Sequence, residues 1–307
     1  MTIEVTTAAP SLASRAIVVF LNLSGLKNRQ FNPLNWTGPR AKPRKVDAFE
    51  PPRSLPDSVA VERASFEGWP VYTLTPRGVS NGALLYLHGG AYAVEILAVH
   101  WTFLGKLANA TGRSIIVPVY PLTPEHTHAD IFPRLTRLYQ QFAASASPIA
   151  VAGDSAGGGM ALALVQSLPA GVPRPTDLIL LSPWLDGSMS NPDIARVAPR
   201  DPLLRVDHVT QLGRLYAGAD EPVTPEVSPI NGPVNDLGNV VIYSGSREIL
   251  NPDAHRFLAI ATQAGATVTL REFTGMIHDW VLLPIPEAKT VLSQIVTDLG
   301  HSRVTSD

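Results

Sequence analysis

The chain has 307 residues, 45% of them hydrophobic, and a formal net charge of −2 at pH 7. One α/β domain with extra segments fits that length, and a core of that apolar content excludes disorder as the main state. The charge exerts no overall pull toward nucleic acid or an anionic membrane. The absence of cysteine excludes disulfides, a thiol nucleophile and Cys-ligated zinc or iron–sulfur centres.

Residues 11–26 have apolar side chains at helical spacing, ending near Gly25. Asn22 and Ser24 interrupt the stretch, it is too short to span a bilayer, and Glu4 precedes any positive charge. It is therefore a poor signal peptide, no later segment reaches membrane-spanning length, and a cytoplasmic chain is expected. Residues 32–56 are rich in Pro and charge and read as an extended connection. Within them Arg40, Lys42, Arg44 and Lys45 have no interleaved aromatics and are followed by Asp47 and Glu50, the pattern of a solvated linker rather than a nucleic-acid patch.

Strands are predicted at 59–66 and 71–75, punctuated by Gly68 and Pro70. An alternation follows, with strands at 83–87, 114–119, 149–152, 178–181, 240–243 and 267–273. Helices are predicted at 98–110, 131–144, 156–168, 252–264 and 287–299. Strands apolar on both faces and separated by helices argue an α/β fold with a mostly parallel central sheet flanked by helices. Almost sixty residues separate the strands near Leu181 and Val240, far more than one crossover needs. That segment is rich in Pro and Asp, has a helical piece at 208–216, and reads as a cap.

The strongest chemical signal is Gly153-Asp154-Ser155-Ala156-Gly157, set between a predicted strand and a predicted helix. G-x-S-x-G in that context is a nucleophile elbow, in which a strained turn lifts the serine hydroxyl clear of the backbone. The flanking glycines are needed because a Cβ there would collide with strand or helix, and the helix N-terminus favours developing negative charge. His88-Gly89-Gly90-Ala91 follows directly on another strand. Glycines there let backbone N–H groups of Gly89 and Gly90, with that of Ala156, face an oxyanion. The His88 ring is read as holding this loop by hydrogen bonding.

A base and an acid must follow in the order serine, acid, histidine. His208 falls in the inserted segment, His255 in a helical pattern and His301 in a polar tail, whereas His278 lies in a loop after a strand. The carboxylates after the strand near Val240 are Glu248 and Asp253, and chemistry alone leaves both open.

Together these residues make the chain resemble the hormone-sensitive-lipase family of α/β-hydrolases, the bacterial family IV esterases. The resemblance runs from about Ala83 to Trp280. It includes His88 to Tyr92, His100, the stretch from Tyr120 to His126, Gly153 to Gly158, Ser182-Pro183-Trp184 and the His278 loop. It implies a cap over the site, hydrolysis of short to medium acyl esters without a cofactor, and a triad whose acid lies about thirty residues before the histidine, which selects Glu248. Tyr92, Asp154, Trp184 and Trp280 are read as substrate-binding positions. The division expected is an N-terminal helical segment contributing to the cap (1–45), a catalytic domain (46–184 and 226–307) and a cap insertion (185–225). Ala91 stands where the family usually has glycine, Glu248 where it has aspartate, and Glu95 where glycine is common; Pro121 and Thr123 also depart from its pattern.

The same residues would serve a lactonase, amidase, formamidase or acyltransferase, and a non-catalytic small-molecule receptor is the alternative from another class. A carboxylate nucleophile, as epoxide hydrolases need, is absent at position 155. His126, His128 and Asp130 are a weak hint of metal, set aside in favour of a loop or helix cap, so no metal and no cofactor are expected. The expected partner is a small ester, with no nucleic acid and no membrane span, and a homodimer is left open.

Overall fold

The computed structural model describes residues 2–37, 49–52, 55–78, 81–145 and 148–301; the basic cluster at 40–45 lies outside them. In chain order the strands are β1 (Thr2–Thr6), β2 (Val59–Phe66), β3 (Trp69–Pro76), β4 (Ala83–Leu87), β5 (Ser114–Pro118), β6 (Ile149–Asp154), β7 (Asp177–Leu181), β8 (Asn239–Gly245) and β9 (Val268–Phe273). The helices are α1 (Leu12–Ser24), α2 (Ala98–Thr111), α3 (His128–Ser145), α4 (Ser155–Ser167), α5 (Ile194–Val197), α6 (Val206–Ala217), α7 (Asn251–Gln263) and α8 (Pro286–His301). The strands form one sheet in the order β1-β9-β8-β7-β6-β4-β5-β3-β2. Among the described residues only β2–β3 and β3–β5 pair antiparallel. This is the mostly parallel α/β sheet that the alternation of elements predicts, and it agrees with the α/β-hydrolase fold that the resemblance implies.

The two-residue period of the strands divides the core. Leu85 and Leu87 of β4 join the apolar cluster that includes α3, α4, α6 and α7, while Leu84 and Tyr86 join the one that includes α2 and α8. Every residue of β4, β6 and β7 is buried. Burying one such leucine contributes about 1.5–3 kcal/mol, so the central strands hold the loops at their C-terminal ends firmly.

The N-terminal region departs from expectation. Residues 2–6, expected within a helical segment, form a strand parallel to β9, from Thr2 opposite Thr269 to Thr6 opposite Phe273. Four of its five residues are exposed, so an edge strand of this kind carries almost no apolar signal. α1 is capped by Ser11, whose hydroxyl accepts from the Ser14 N–H, and ends at Gly25 in the left-handed region. Glu287 ties its start to α8 by accepting from the Ser11 N–H and from the Ser11 and Ser14 hydroxyls. Ile17, Val18 and Leu21 pack on the cluster containing Met276, Ile277 and Trp280, so α1 lies against the His278 loop.

The long segment between β7 and β8 carries α5 and α6. The N-terminal region contacts it through side chains. Lys27 Nζ donates to the carbonyls of Ala198 and Asp201 at 2.9 and 2.5 Å, and Arg205 donates to Asn28 at 2.8 Å.

Candidate active site

β6 ends at Asp154 and α4 begins at Ser155, whose φ of 51° is the strained turn predicted for the elbow. The flanking glycines answer to close packing. A Cβ on Gly153 would strike the Gly157 backbone, and one on Gly157 would strike the carbonyls of Leu87 and His88. Those atoms belong to the strand and to the turn after it and cannot swing aside. Gly157→Ala is therefore expected to cost about 1–3 kcal/mol or more, read as a lowered melting temperature.

The structure brings Ser155, His278 and Glu248 into one hydrogen-bonded chain. Ser155 Oγ lies 2.8 Å from His278 Nε2, and His278 Nδ1 lies 2.8 Å from Glu248 Oε2. The other Glu248 oxygen accepts from the Ser244 hydroxyl and the Gly245 N–H, each at 2.8 Å. All three residues are buried. Burial works against a charged imidazole at His278, but the Asp279 and Glu248 carboxylates outweigh it and raise its proton affinity well above the usual value. Asp253, the other candidate acid, is elsewhere: its Oδ1 accepts from Asn191 at 2.9 Å, and burial pushes its carboxyl up to about 6.

Gly89 and Gly90 follow β4 beside the elbow, and a Cβ on Gly89 would come within 3.0 Å of the Ser155 Cβ. Among the described residues their N–H groups meet no acceptor, and that of Ala156 sits in the first turn of α4, where helices leave N–H groups unpaired. Three donors are thus available beside the hydroxyl. Ala91 (φ 52°) and Tyr92 (φ 59°) both hold left-handed conformations, Ala91 at the position where the resemblance leads one to expect glycine. The His88 ring braces the loop. Its Nδ1 lies 2.7 Å from the Gly89 carbonyl, it stacks on Tyr120 at 4.4 Å, and burial depresses its proton affinity to about 4, leaving it neutral at pH 7.

Asp154 and Trp280, read from the sequence as substrate-binding positions, are both buried. Asp154 is fully buried; Tyr86 donates to its Oδ1 at 2.6 Å, and His100 Nε2 lies 3.2 Å from its Oδ2. As the last residue of β6 it lies under Gly89, where a Cβ added to that glycine would meet its carboxylate oxygen. Burial alone would raise its proton affinity, yet the His100 charge and these hydrogen bonds hold it below the carboxylate norm. Trp280 is wholly buried against Phe273, 5.4 Å between ring centroids, in the cluster with α8. It anchors the His278 loop.

Tyr92 and Trp184 are also buried, their rings 5.3 Å apart. Tyr92 further stacks on Tyr216 of α6 at 3.6 Å and 5°, joining the glycine loop to the insertion. His100 stands out in the sequence by its twelve-residue step from His88, whereas nothing there points to Tyr86 or Tyr216. Of His126, His128 and Asp130, His126 Nδ1 lies 3.9 Å from Asp130 Oδ2, while His128 turns to another partner. Asp130 accepts from the Thr127 N–H at 2.8 Å, and His128 faces Asp220 at 2.9 Å. No cluster of three metal-ligating side chains occurs among the described residues.

A family model described as alpha/beta hydrolase fold matches residues 84–282. An acetyl-hydrolase of Streptomyces hygroscopicus is 31% identical over 67% of this chain and 70% of its own length. An esterase of Acinetobacter venetianus is 31% identical over 69% and 72%. The crystal structure of an esterase from the bacterial hormone-sensitive lipase family superposes with a TM-score of 0.81 at 26% identity, covering 96% of this chain and 99% of that one. Motifs, fold and relatives converge: the chain belongs to the hormone-sensitive-lipase family of α/β-hydrolases and is a carboxylic ester hydrolase.

Proposed function

We propose that this hydrolase cleaves esters of short to medium acyl chain through an acyl-enzyme, with Ser155 as nucleophile, His278 as base and Glu248 as the orienting acid. The observation that carries the reading is the chain from Ser155 Oγ through both His278 nitrogens to Glu248, each link 2.8 Å. His278 Nε2 takes the Ser155 proton as Oγ attacks the ester carbonyl. The oxyanion receives N–H groups of Gly89, Gly90 and Ala156, each donor of this kind contributing about 10²–10³ in rate. The imidazolium, held by Glu248, then returns the proton to the leaving alcohol. Water repeats the cycle on the acyl-enzyme and releases the acid.

The insertion at 185–225, together with the N-terminal region, acts as the cap. Ser155 is 6% exposed and His278 3%, and the Tyr92–Tyr216 stack ties the cap to the glycine loop. A site so enclosed favours small acyl groups, Glu95 beside that loop narrows or polarises it further, and the relative named acetyl-hydrolase points the same way. Acetyl to hexanoyl p-nitrophenyl esters are expected to give higher kcat/KM than long-chain ones. A preference for emulsified long-chain triglycerides would contradict the reading.

A further inference from the structure

Asp279 is a buried carboxylate beside the reacting atoms that ester hydrolysis, as set out above, leaves without a task. It follows His278 with a φ of 53°, and its N–H donates to Ser182 Oγ at 3.2 Å. Its Oδ2 lies 3.1 Å from His278 Nε2, the nitrogen that also faces Ser155 Oγ at 2.8 Å. Its other oxygen is buried and meets no hydrogen-bond donor. We propose that Asp279 is a positioning residue that holds the resting His278 in its protonated form through Nε2, and so sets the lower pH limit of the esterase.

The inference rests on His278 being the base. Imidazole can accept the serine proton only while Nε2 is unprotonated. Burial pushes the Asp279 carboxyl up to about 6 against the opposing pull of His278; above that value, with Glu248 at Nδ1 and Asp279 at Nε2, imidazolium finds an anionic acceptor for each N–H, whereas neutral imidazole has a proton for only one of them. The pair therefore favours the form that cannot act as base.

Among the described residues no other neighbour performs this task. Glu248, from the β8–α7 connection, is committed to Nδ1. Asp201, from the insertion, accepts from the N–H groups of Leu203, Leu204 and Ile249. Asp154 of β6 is taken by His100 of α2 and Tyr86 of β4. α1 presents Ser14, Ile17 and Val18 to the loop, none of them charged.

The test is the pH profile of kcat/KM for p-nitrophenyl acetate, whose leaving group needs no protonation, in Asp279→Asn and Asp279→Gly. Both replacements tolerate a positive φ, so the loop keeps its path. The acid-side midpoint is expected to fall by about one pH unit in both, in line with the effect of an opposite charge at this range. On the acid limb each variant then exceeds the parent by about tenfold. A midpoint that stays in place or rises in both overturns the proposal. Titration of the His278 ring by NMR in Ser155→Ala, with and without Asp279→Asn, reads the same contact without turnover. A lower ring pKa with Asn supports the proposal, and an unchanged one refutes it. Hydrolysis surviving in Ser155→Ala alone would instead remove the triad reading itself, so the two failures are distinguishable.

Discussion

Ser155→Ala is expected to lower kcat for ester hydrolysis by about 10⁶, the scale on which losing the nucleophile costs a serine protease, while the fold survives. Alanine keeps the Cβ, so the strained φ of 51° is no harder to adopt than it is for serine. The only hydrogen bond the hydroxyl makes among the described residues is to His278, and that ring remains held by Glu248. The melting temperature should accordingly stay close to that of the parent. Labelling by a fluorophosphonate probe should vanish together with activity. Full hydrolysis by the variant, after exclusion of contaminating parent enzyme, would refute the assignment of the nucleophile.

Glu248→Gln is expected to lower kcat by about 10⁴, the loss known for a comparable carboxylate-to-amide change. The amide has the same shape, and its oxygen can still accept from Ser244 and Gly245. That leaves its NH₂ facing His278 Nδ1, which must then accept. The proton moves to Nε2, the wrong tautomer for taking the serine proton, and the anion that stabilises imidazolium is gone. Asp253→Asn makes the contrast. Asp253 contacts Asn191 and not His278, and burial has already raised its carboxyl to about 6. A raised carboxyl costs stability once ionised, so at pH above that value asparagine removes a buried charge and should leave kcat nearly unchanged. Comparing kcat of the two variants decides between the acids: a severe loss at Asp253 with a mild one at Glu248 would reverse the assignment.

Much of this molecule is legible before any coordinates. The alternation of apolar strands and amphipathic helices specifies the parallel sheet, because a strand covered on both faces has to be apolar throughout. The elbow glycines and the His88 loop mark the turn that carries Ser155, because close backbone approach leaves no room for a Cβ. Those constraints are local and repeat along the chain, so sequence by itself determined the fold class and the place of Ser155. Chemistry read along the chain left Glu248 and Asp253 equal, and the family spacing favoured one; distance to His278 separates them in space. Tertiary structure alone decided the rest. Whether Asp154 faces a substrate or lies under Gly89 depends on His100 and Tyr86 arriving from other elements. The strand at residues 2–6 exists only because the edge of β9 offers it hydrogen bonds. The approach of Asp279 to Nε2 follows from a left-handed residue whose N–H reaches Ser182. Contacts between residues far apart in sequence leave no periodic pattern and no spacing, which is why they become visible only when the chain is folded.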